Sequence, residues 1–493
     1  MKLIKINEID NVAVAVSEIP ANTTINEVTT LNDIPMGHKV ALKDIKEGED
    51  IVKYAQVIGV ASKDIAKGEH VHSHNMHTKL SGELEYTFNQ VDYTNKKLDN
   101  PYKLYGYKRK NNKVGIRNEL WLVPTVGCIS SICKDIIEQF KAKHDLSDID
   151  GAYTYAHQYG CSQMGDDQDA TIKVLQNIAS HPNAGAVLVV GLGCENNQLK
   201  PFIEGLKDVD QSRLRYFNCQ EVDDEVTTAL NYLDELYEVM RHDKREEIEF
   251  KDLTIGLECG GSDGFSGISG NPLLGRLSDR VISYGGNVIL SEVPEMFGAE
   301  HLLMNRAKDE KVFNEIVDMV NRYKQYFIDN KQVVYENPSP GNKAGGITTL
   351  EEKSCGCIQK GGISIINGVI DYGDQLVEPG LNLLYGPGND LSSTTAIGSA
   401  GAQIILFTTG RGTPYGSFVP TVKVATNSTI YNKKQNWFDF NAGIVLDNAD
   451  LDVACDEFMK KVVSFINGEE KTKNEAKQYK EIAIFKRGVI LWS

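Results

Sequence analysis

The sequence predicts an α/β fold: a small N-terminal β domain followed by parallel α/β domains. Two observations carry this. Between residues 119 and 194, three apolar runs, ELWLVPTVGC, GAYTYAHQYGC and GAVLVVGLGC, each end in Gly-Cys and alternate with helix-patterned segments. Continuous apolar strands separated by helices form a parallel sheet covered on both faces. Ahead of them, the first 80 residues read as short strands and contain two similar segments, HKVALKDIKEGEDIV and QVIGVASKDIAKGEHVHSH. The length of 493 residues corresponds to about three domains.

Taken in order, VAVAV (12–16) is a strand. Each of the two similar segments is an apolar stretch, a Lys-Asp-Ile-x-x-Gly-Glu turn and a second strand. Gly48 and Gly68 stand where such a turn needs φ > 0. Residues 1–80 are thus expected to form a compact barrel on a duplicated hairpin. Residues 81–101 are polar and read as a linker. The first α/β domain spans 102–250. Its helices are SSICKDIIEQFKAKH, with Ser130 or Ser131 as N-cap, and DDQDATIKVLQNIASH. The second α/β domain, 251–493, opens with the strand and glycine loop LTIGLECGGSDGFSG. A helix follows with Pro272 in its first turn, then the strand NVILSEV and an acidic helix at 309–330. A glycine-rich loop (339–346), two strands (402–410 and 441–447) and a helix at 450–466 complete it.

Composition excludes several classes. A chain that is 41% hydrophobic and 24% charged is globular rather than disordered. Net charge −16 disfavours a nucleic-acid partner. No run of about 18 apolar residues offers a membrane span, and the start MKLIKINEID has no signal-peptide core. Nine cysteines, an odd number, fit reduced thiols in a cytoplasm.

Cysteine spacing is the most informative chemical signal. Cys128, Cys161 and Cys194 are 33 residues apart, about one βα unit, each after a glycine at a strand end. Cys259 ends a fourth strand. In parallel sheets these ends share one edge, where ligands bind. Converging thiolates suit iron, an iron–sulfur cluster or zinc; the alternative is that they simply pack. Five of the ten histidines lie between 38 and 77. VHSHN places His72 and His74 at i and i+2, on one face of a strand, as a divalent-metal pair or a solvated face; His38, His70 or His77 can add a ligand.

His157, four residues before Cys161, is a candidate acid or base, or equally a packed histidine with a backbone partner. ECGGSDGFSG offers bare amides at Gly260, Gly261, Ser262 and Asp263 for an anion, without the spacing of a dinucleotide fingerprint. Arg411, after a strand, can grip a carboxylate in a bidentate fork or lie in a surface loop.

Along nearly its whole length the chain resembles the altronate/galactarate dehydratases. The carriers are IPMGHKVALKDIKEGEDIVKYAQVIG, GEHVHSHN, GYKRKNNKVGIRNELWLVPTVGC, HQYGCSQMGDD, GLGCE, ECGGSDGFSGISGNPLLG, SPGNKAGGITTLEEKS and TTGRGTPYGSFVPTVKVATN. Length, opening and VHSHN place it nearer the altronate branch. It departs from the family at Ala55, usually glycine, and at Cys355, usually apolar. The resemblance implies an N-terminal SAF-like β domain joined to Rossmann-like parallel α/β domains. It also implies loss of water from D-altronate to give 2-dehydro-3-deoxy-D-gluconate, with Fe²⁺ or Mn²⁺ as activator. The alternative is galactarate or another sugar acid. A small-molecule sugar acid is the expected partner, and a homo-oligomer the expected state.

Two metal arrangements follow from the residues. In one, His72 and His74 hold a single Fe²⁺. In the other, Cys161, Cys194 and Cys259, with Cys128, hold iron or an iron–sulfur cluster. His157 is then the candidate base, and Arg411 or the amides of Gly260 and Gly261 hold the substrate carboxylate.

Overall fold

The computed structural model describes residues 1–80, 86–206, 208–334 and 337–488. The N-terminal unit is all β. Leu3–Ile4, Val12–Ala15, Lys39–Ala41 and His70–Val71 form one antiparallel sheet, and Asp50–Lys53, Gln56–Ala61 and Met76–His77 another. The duplicated segments are not two separate hairpins. Lys39–Ala41 pairs with His70–Val71 across the repeat, Ile45 bridges Ile65, and Asp50–Lys53 turns directly into Gln56–Ala61. Interlocking the copies buries Ile45 and Ile65 together, which two separate hairpins cannot do. The turn glycines have the expected backbone, φ 82° at Gly48 and 89° at Gly68. DIPMGH supplies a third copy, with Gly37 at φ 83° and Ile34 buried.

The two residues of the Asp50–Lys53 hairpin turn, Tyr54 and Ala55, are both left-handed, at φ 62° and 58°. Asp10 holds them there by accepting their amides. Ala55 thus carries a Cβ where the backbone favours glycine.

Residues 86–103 have no regular structure, and stretches of them lie along the C-terminal domain. Val91 N–H donates to Asn305 O and Leu98 N–H to Ser283 O, both at 2.9 Å. The rest of the linker, 81–85, lies outside the described residues.

The first α/β unit carries a parallel sheet ordered Gly151–Thr154, Glu119–Pro124, Ala184–Gly191, Leu214–Asn218. Its helices Ser130–Lys143 and Gly165–Ala179 follow the predicted runs. The serine cap does not form: Ile129 is the N-cap, and Ser130, inside the helix, donates to His157 O.

The C-terminal unit carries a seven-stranded parallel sheet. Thr254–Cys259 lies at its centre, with Asn287–Leu290 on one side and Ile404–Thr409 on the other. These strands are almost wholly buried, which explains their unbroken apolar sequences. The chain moves from the central strand to one side, then returns to the other. The crevice between the ends of Thr254–Cys259 and Ile404–Thr409 is therefore a topological switch point. The acidic helix is Glu310–Asp329, capped by Asp309, and it buries Val312, Phe313, Ile316, Met319, Val320 and Tyr323.

Two local expectations are corrected. NAGIVLD forms only a two-residue strand and then the 3₁₀ turn Ala442–Val445, because the Asn441 side chain accepts from Gly443 N–H. SPGNKAGG contains the helix Pro340–Ala344, closed by a capping box between Ser339 and Asn342.

Candidate functional site

The helix Leu350–Cys357 joins two groups of functional side chains. Its sequence, LEEKSCGC, is polar, yet all eight residues are buried. Each charge has a partner. Glu351 accepts from Thr78 and Lys79, Glu352 binds Lys39 and Lys53 at 2.8 Å each, and Lys353 binds Glu295 at 2.6 Å. The first two docking sets come from the N-terminal β unit, the third from the C-terminal sheet edge. Glu352 is held down to about 2 by the two ammonium groups, against its own burial. Burial pulls Lys39 down to about 8, whereas Glu352 holds Lys53 up.

Three glycine segments complete this docking. A Cβ on Gly264 would lie 2.0 Å from Gly37 O, and one on Gly346 2.2 Å from the same oxygen. Backbone thus touches backbone where the β unit meets the glycine loop and the 345–346 turn.

His38 follows that contact. Its Nδ1 lies 3.0 Å from His70 Nε2, and its ring centroid is 4.8 Å from His72 and 5.2 Å from His70. His74 lies 5.3 Å from His70. His72 Nδ1 is 2.9 Å from Thr348 Oγ1, which also accepts from Lys39. His38, 3.4 Å from Ala344 O, and His72 therefore face the segment leading into the buried helix. Burial, then repulsion from the neighbouring rings, pulls His70 down to about 3. Burial, then Lys39, pulls His72 down to about 4. Both are neutral lone-pair donors at pH 7. The predicted same-face strand pair is corrected: His72 and His74 lie in a turn after His70–Val71, pinned by Asn75, whose side chain accepts from His72 N–H. His77 is exposed on the next strand.

The second group lies at the strand ends of the central sheet. Cys259 Sγ is 3.2 Å from Cys357 Sγ and 3.4 Å from Glu295 Oε2, and Cys357 Sγ is 2.9 Å from the same oxygen. Among the described residues this is the one trio of such donors lying within 4.8 Å of one another. The hydrogen bond with Cys357 draws Cys259 down to about 7 and pushes Cys357 up. Glu292 accepts from Cys259 N–H and is ion-paired with Lys360. It stands at φ 69°, strain that its partners hold in place. Beside them Glu258 Oε1 and Lys423 Nζ are buried without a hydrogen-bond partner among the described residues. Burial pulls Lys423 down to about 7.

The predicted cysteine set divides. Cys128, Cys161 and Cys194 do lie after strands of the first α/β sheet, with Cys128 and Cys194 exposed. Their loops interlock: Gly127 N–H donates to Tyr159 O, and Ser162 N–H to Asn196 Oδ1. Cys259 belongs to the other sheet, and its partners are Cys357 and Glu295. A Gly-Cys strand end does not reveal which sheet the strand joins.

His157 is withdrawn as the base. Its Nε2 is 2.8 Å from Pro124 O, and its Nδ1 accepts from Tyr159 N–H, so neither ring nitrogen is left for substrate. Asp263 is corrected in the same way. Its buried carboxylate accepts from Phe265 N–H, Ser266, Thr426 and Asn427, so it shapes the loop rather than meeting a ligand. Gly260 N–H is used by Thr408 O. The amides of Gly261 and Ser262 have no acceptor among the described residues, and Gly261 is left-handed at φ 59°. Two successive open amides form an anion nest. Arg411 lies beside them: its amide donates to Gly261 O, its side chain is exposed, and its guanidinium has no partner among the described residues. Residue reasoning passed over Cys357, Glu295 and the Lys39–Glu352–Lys53 group.

Comparison with known proteins follows this architecture. Residues 1–79 match the family model "Altronate/galactarate dehydratase SAF domain". Residues 106–241 match "D-galactarate dehydratase/Altronate hydrolase, second domain", and 250–490 "D-galactarate/Altronate dehydratase, C-terminal". The chain is 51% identical over 499 residues to an altronate dehydratase of Escherichia coli K12, covering 100% of both chains. It is 49% identical over 99% of both to one from Bacillus subtilis 168. A galactarate dehydratase (L-threo-forming) of Escherichia coli K12 is 31% identical, over 90% of this chain and 88% of its own.

Proposed function

The chain belongs to the altronate/galactarate dehydratase family, and on that premise we propose that it is a hydro-lyase removing water from D-altronate to give 2-dehydro-3-deoxy-D-gluconate. The observation that carries this reading is the near-50% identity, over full length, to two proteins named altronate dehydratases. Galactarate is the less favoured substrate, since the relative named for it is 31% identical.

The reading takes Fe²⁺, or Mn²⁺ in its place, as activator at the imidazole group. Metal–nitrogen bonds of about 2.1 Å place neighbouring octahedral ligands about 3 Å apart. The His38 and His70 nitrogens, which share a hydrogen bond, are 3.0 Å apart, the spacing of two such ligands. Neutral imidazoles with pKa values as low as those of His70 and His72 are better ligands than bases. A bound divalent ion supplies Lewis acidity for the α-carboxylate and the leaving hydroxyl. Arg411 and the open amides of Gly261 and Ser262 hold the substrate carboxylate. No helix among the described residues is long and apolar enough to cross a membrane. A cytoplasmic homo-oligomer completes the reading.

The test is anaerobic turnover with added Fe²⁺, read as 2-keto acid formed from D-altronate and from galactarate. Preference for altronate is expected. Preference for galactarate overturns the substrate, and no turnover of either overturns the dehydratase reading. A His70→Ala variant that keeps iron and turnover removes the imidazole site.

A further inference from the structure

We propose that Asp390 is the base that takes the α-proton of the sugar acid. The inference deepens the hydro-lyase reading above and rests on it.

His157 is bound to backbone through both ring nitrogens, so the reaction needs another proton acceptor. Glu258, Glu292, Glu295 and Asp263 line the switch point of the large sheet, but all four are buried and each already accepts a hydrogen bond or ion pair. Asp390 differs on both counts. It is only half-buried, and its carboxylate accepts no hydrogen bond among the described residues.

The fold fixes where this carboxylate stands. Asp390 opens the helix Asp390–Ser399, capped by the Asn389 side chain, which accepts from Ser392 N–H. Ser393 of that helix donates to Glu258 at 2.7 Å. Ile397 packs so closely on the central strand that a Cβ on Gly256 would lie 2.2 Å from it. The Asp390 carboxylate fills the space over Gly260, where a Cβ would lie 2.2 Å from Oδ2 and 2.6 Å from Oδ1. Gly260 is thus the residue that admits it. Gly261 and Ser262 follow with their open amides, and Arg411 Cβ lies 3.3 Å from where a Gly261 Cβ would stand. Standard bond lengths keep Asp390 Oδ2 within about 6 Å of Gly261 N. A substrate carboxylate accepting that amide at about 3 Å leaves its α-carbon beside the Asp390 oxygens.

Charge suits the role. Burial, then Glu295, raise the Asp390 carboxyl, and Lys423, Lys353 and Lys360 oppose them. A raised carboxyl takes a proton more readily than an exposed one. Of the charged neighbours of Lys423, which has no hydrogen-bond partner among the described residues, Asp390 acts on it most strongly. The step balances without a co-reactant. The C2–H bond breaks, its proton passes to Asp390, and its electron pair forms the C2–C3 double bond as C3–O breaks. Asp390 returns that proton to the departing hydroxide, which leaves as water. The enol then becomes the 2-keto acid by exchanging its O2 proton for one on C3.

The experiment assays the full-length protein, unaltered and as Asp390→Ala, anaerobically with added Fe²⁺ on D-altronate and galactarate, reading 2-keto acid. Asp390→Ala is expected to lower kcat roughly 1000-fold with KM unchanged within about threefold, the size of a lost general base. Added formate, a free carboxylate, is expected to restore kcat by at least about tenfold, which a purely structural role does not allow. If Asp390→Ala does not fold, Asp390→Asn keeps the side-chain shape, and the same loss is expected. Turnover within about threefold of the unaltered protein in either variant overturns Asp390 as the base. So does a loss in folded Asp390→Ala that formate leaves untouched. No turnover by the unaltered protein overturns the hydro-lyase reading and the base with it, which separates the two failures.

Discussion

Replacing Glu352 by Gln removes the single anion between Lys39 and Lys53, which are 0% and 1% exposed. The carboxyl has an ordinary value of 4.5 and is held at about 2. That depression corresponds to about 3 kcal/mol. Breaking a buried ion pair by removing one partner costs the same order, about 3–5 kcal/mol. The loss falls on the docking of the β unit onto the buried helix, because both lysines come from one side and Glu352 from the other. Amide hydrogen exchange resolves this better than a melting curve for a chain of several domains. Amides of 39–53 and 350–357 are expected to exchange roughly 150-fold faster at pH 7, the factor corresponding to about 3 kcal/mol. In the unaltered protein the same stabilisation is complete above pH 4.5 and is lost as pH falls from 4.5 towards 2. Its folded value is the depressed one, so the unfolded chain takes up the proton first. Exchange unchanged within about threefold would refute the assignment of Glu352 as the clamp.

Three further outcomes follow from the same structure. Ala55→Gly relieves a left-handed alanine and is expected to stabilise the β unit by about 0.5–1 kcal/mol, read as a higher melting temperature; a lower one contradicts the strain argument. His157→Gln removes backbone contacts and no reacting group, so kcat stays within about threefold while thermal stability falls by about 1–3 kcal/mol; a hundredfold loss of kcat in folded protein restores His157 as the base. Arg411→Ala touches an exposed side chain, so folding is unchanged while kcat/KM for the sugar acid falls by roughly 10–100-fold, and the loss is smaller for Arg411→Lys; an unchanged kcat/KM removes Arg411 from substrate binding.

What the sequence made legible follows from how each element is stabilised. Strands such as Ala184–Gly191 and Ile404–Thr409 are buried on both faces and announce themselves as apolar runs. Helices with a capping Asp, at 309 and 450, fall within a residue of the expected start. The helix Leu350–Cys357 had no such signal. Its burial rests on ion pairs with residues as far away as Lys39 and Lys53, and LEEKSCGC has no apolar stripe. The histidine tract was visible as a tract, but the His38–His70 contact depends on how the repeats interlock. Nothing local to Cys357 says that it meets Cys259, 98 residues earlier.

The 86–103 segment, fastened at Val91 and Leu98, changes what loosening the β unit means. Docking is intramolecular, and a short tether supplies an effective concentration on the order of 1 mM. That concentration opposes opening even of a weakened interface. The covalent connection thus buffers catalysis against damage at the contact, so a variant exchanging its amides far faster can still turn over substrate at most of the normal rate.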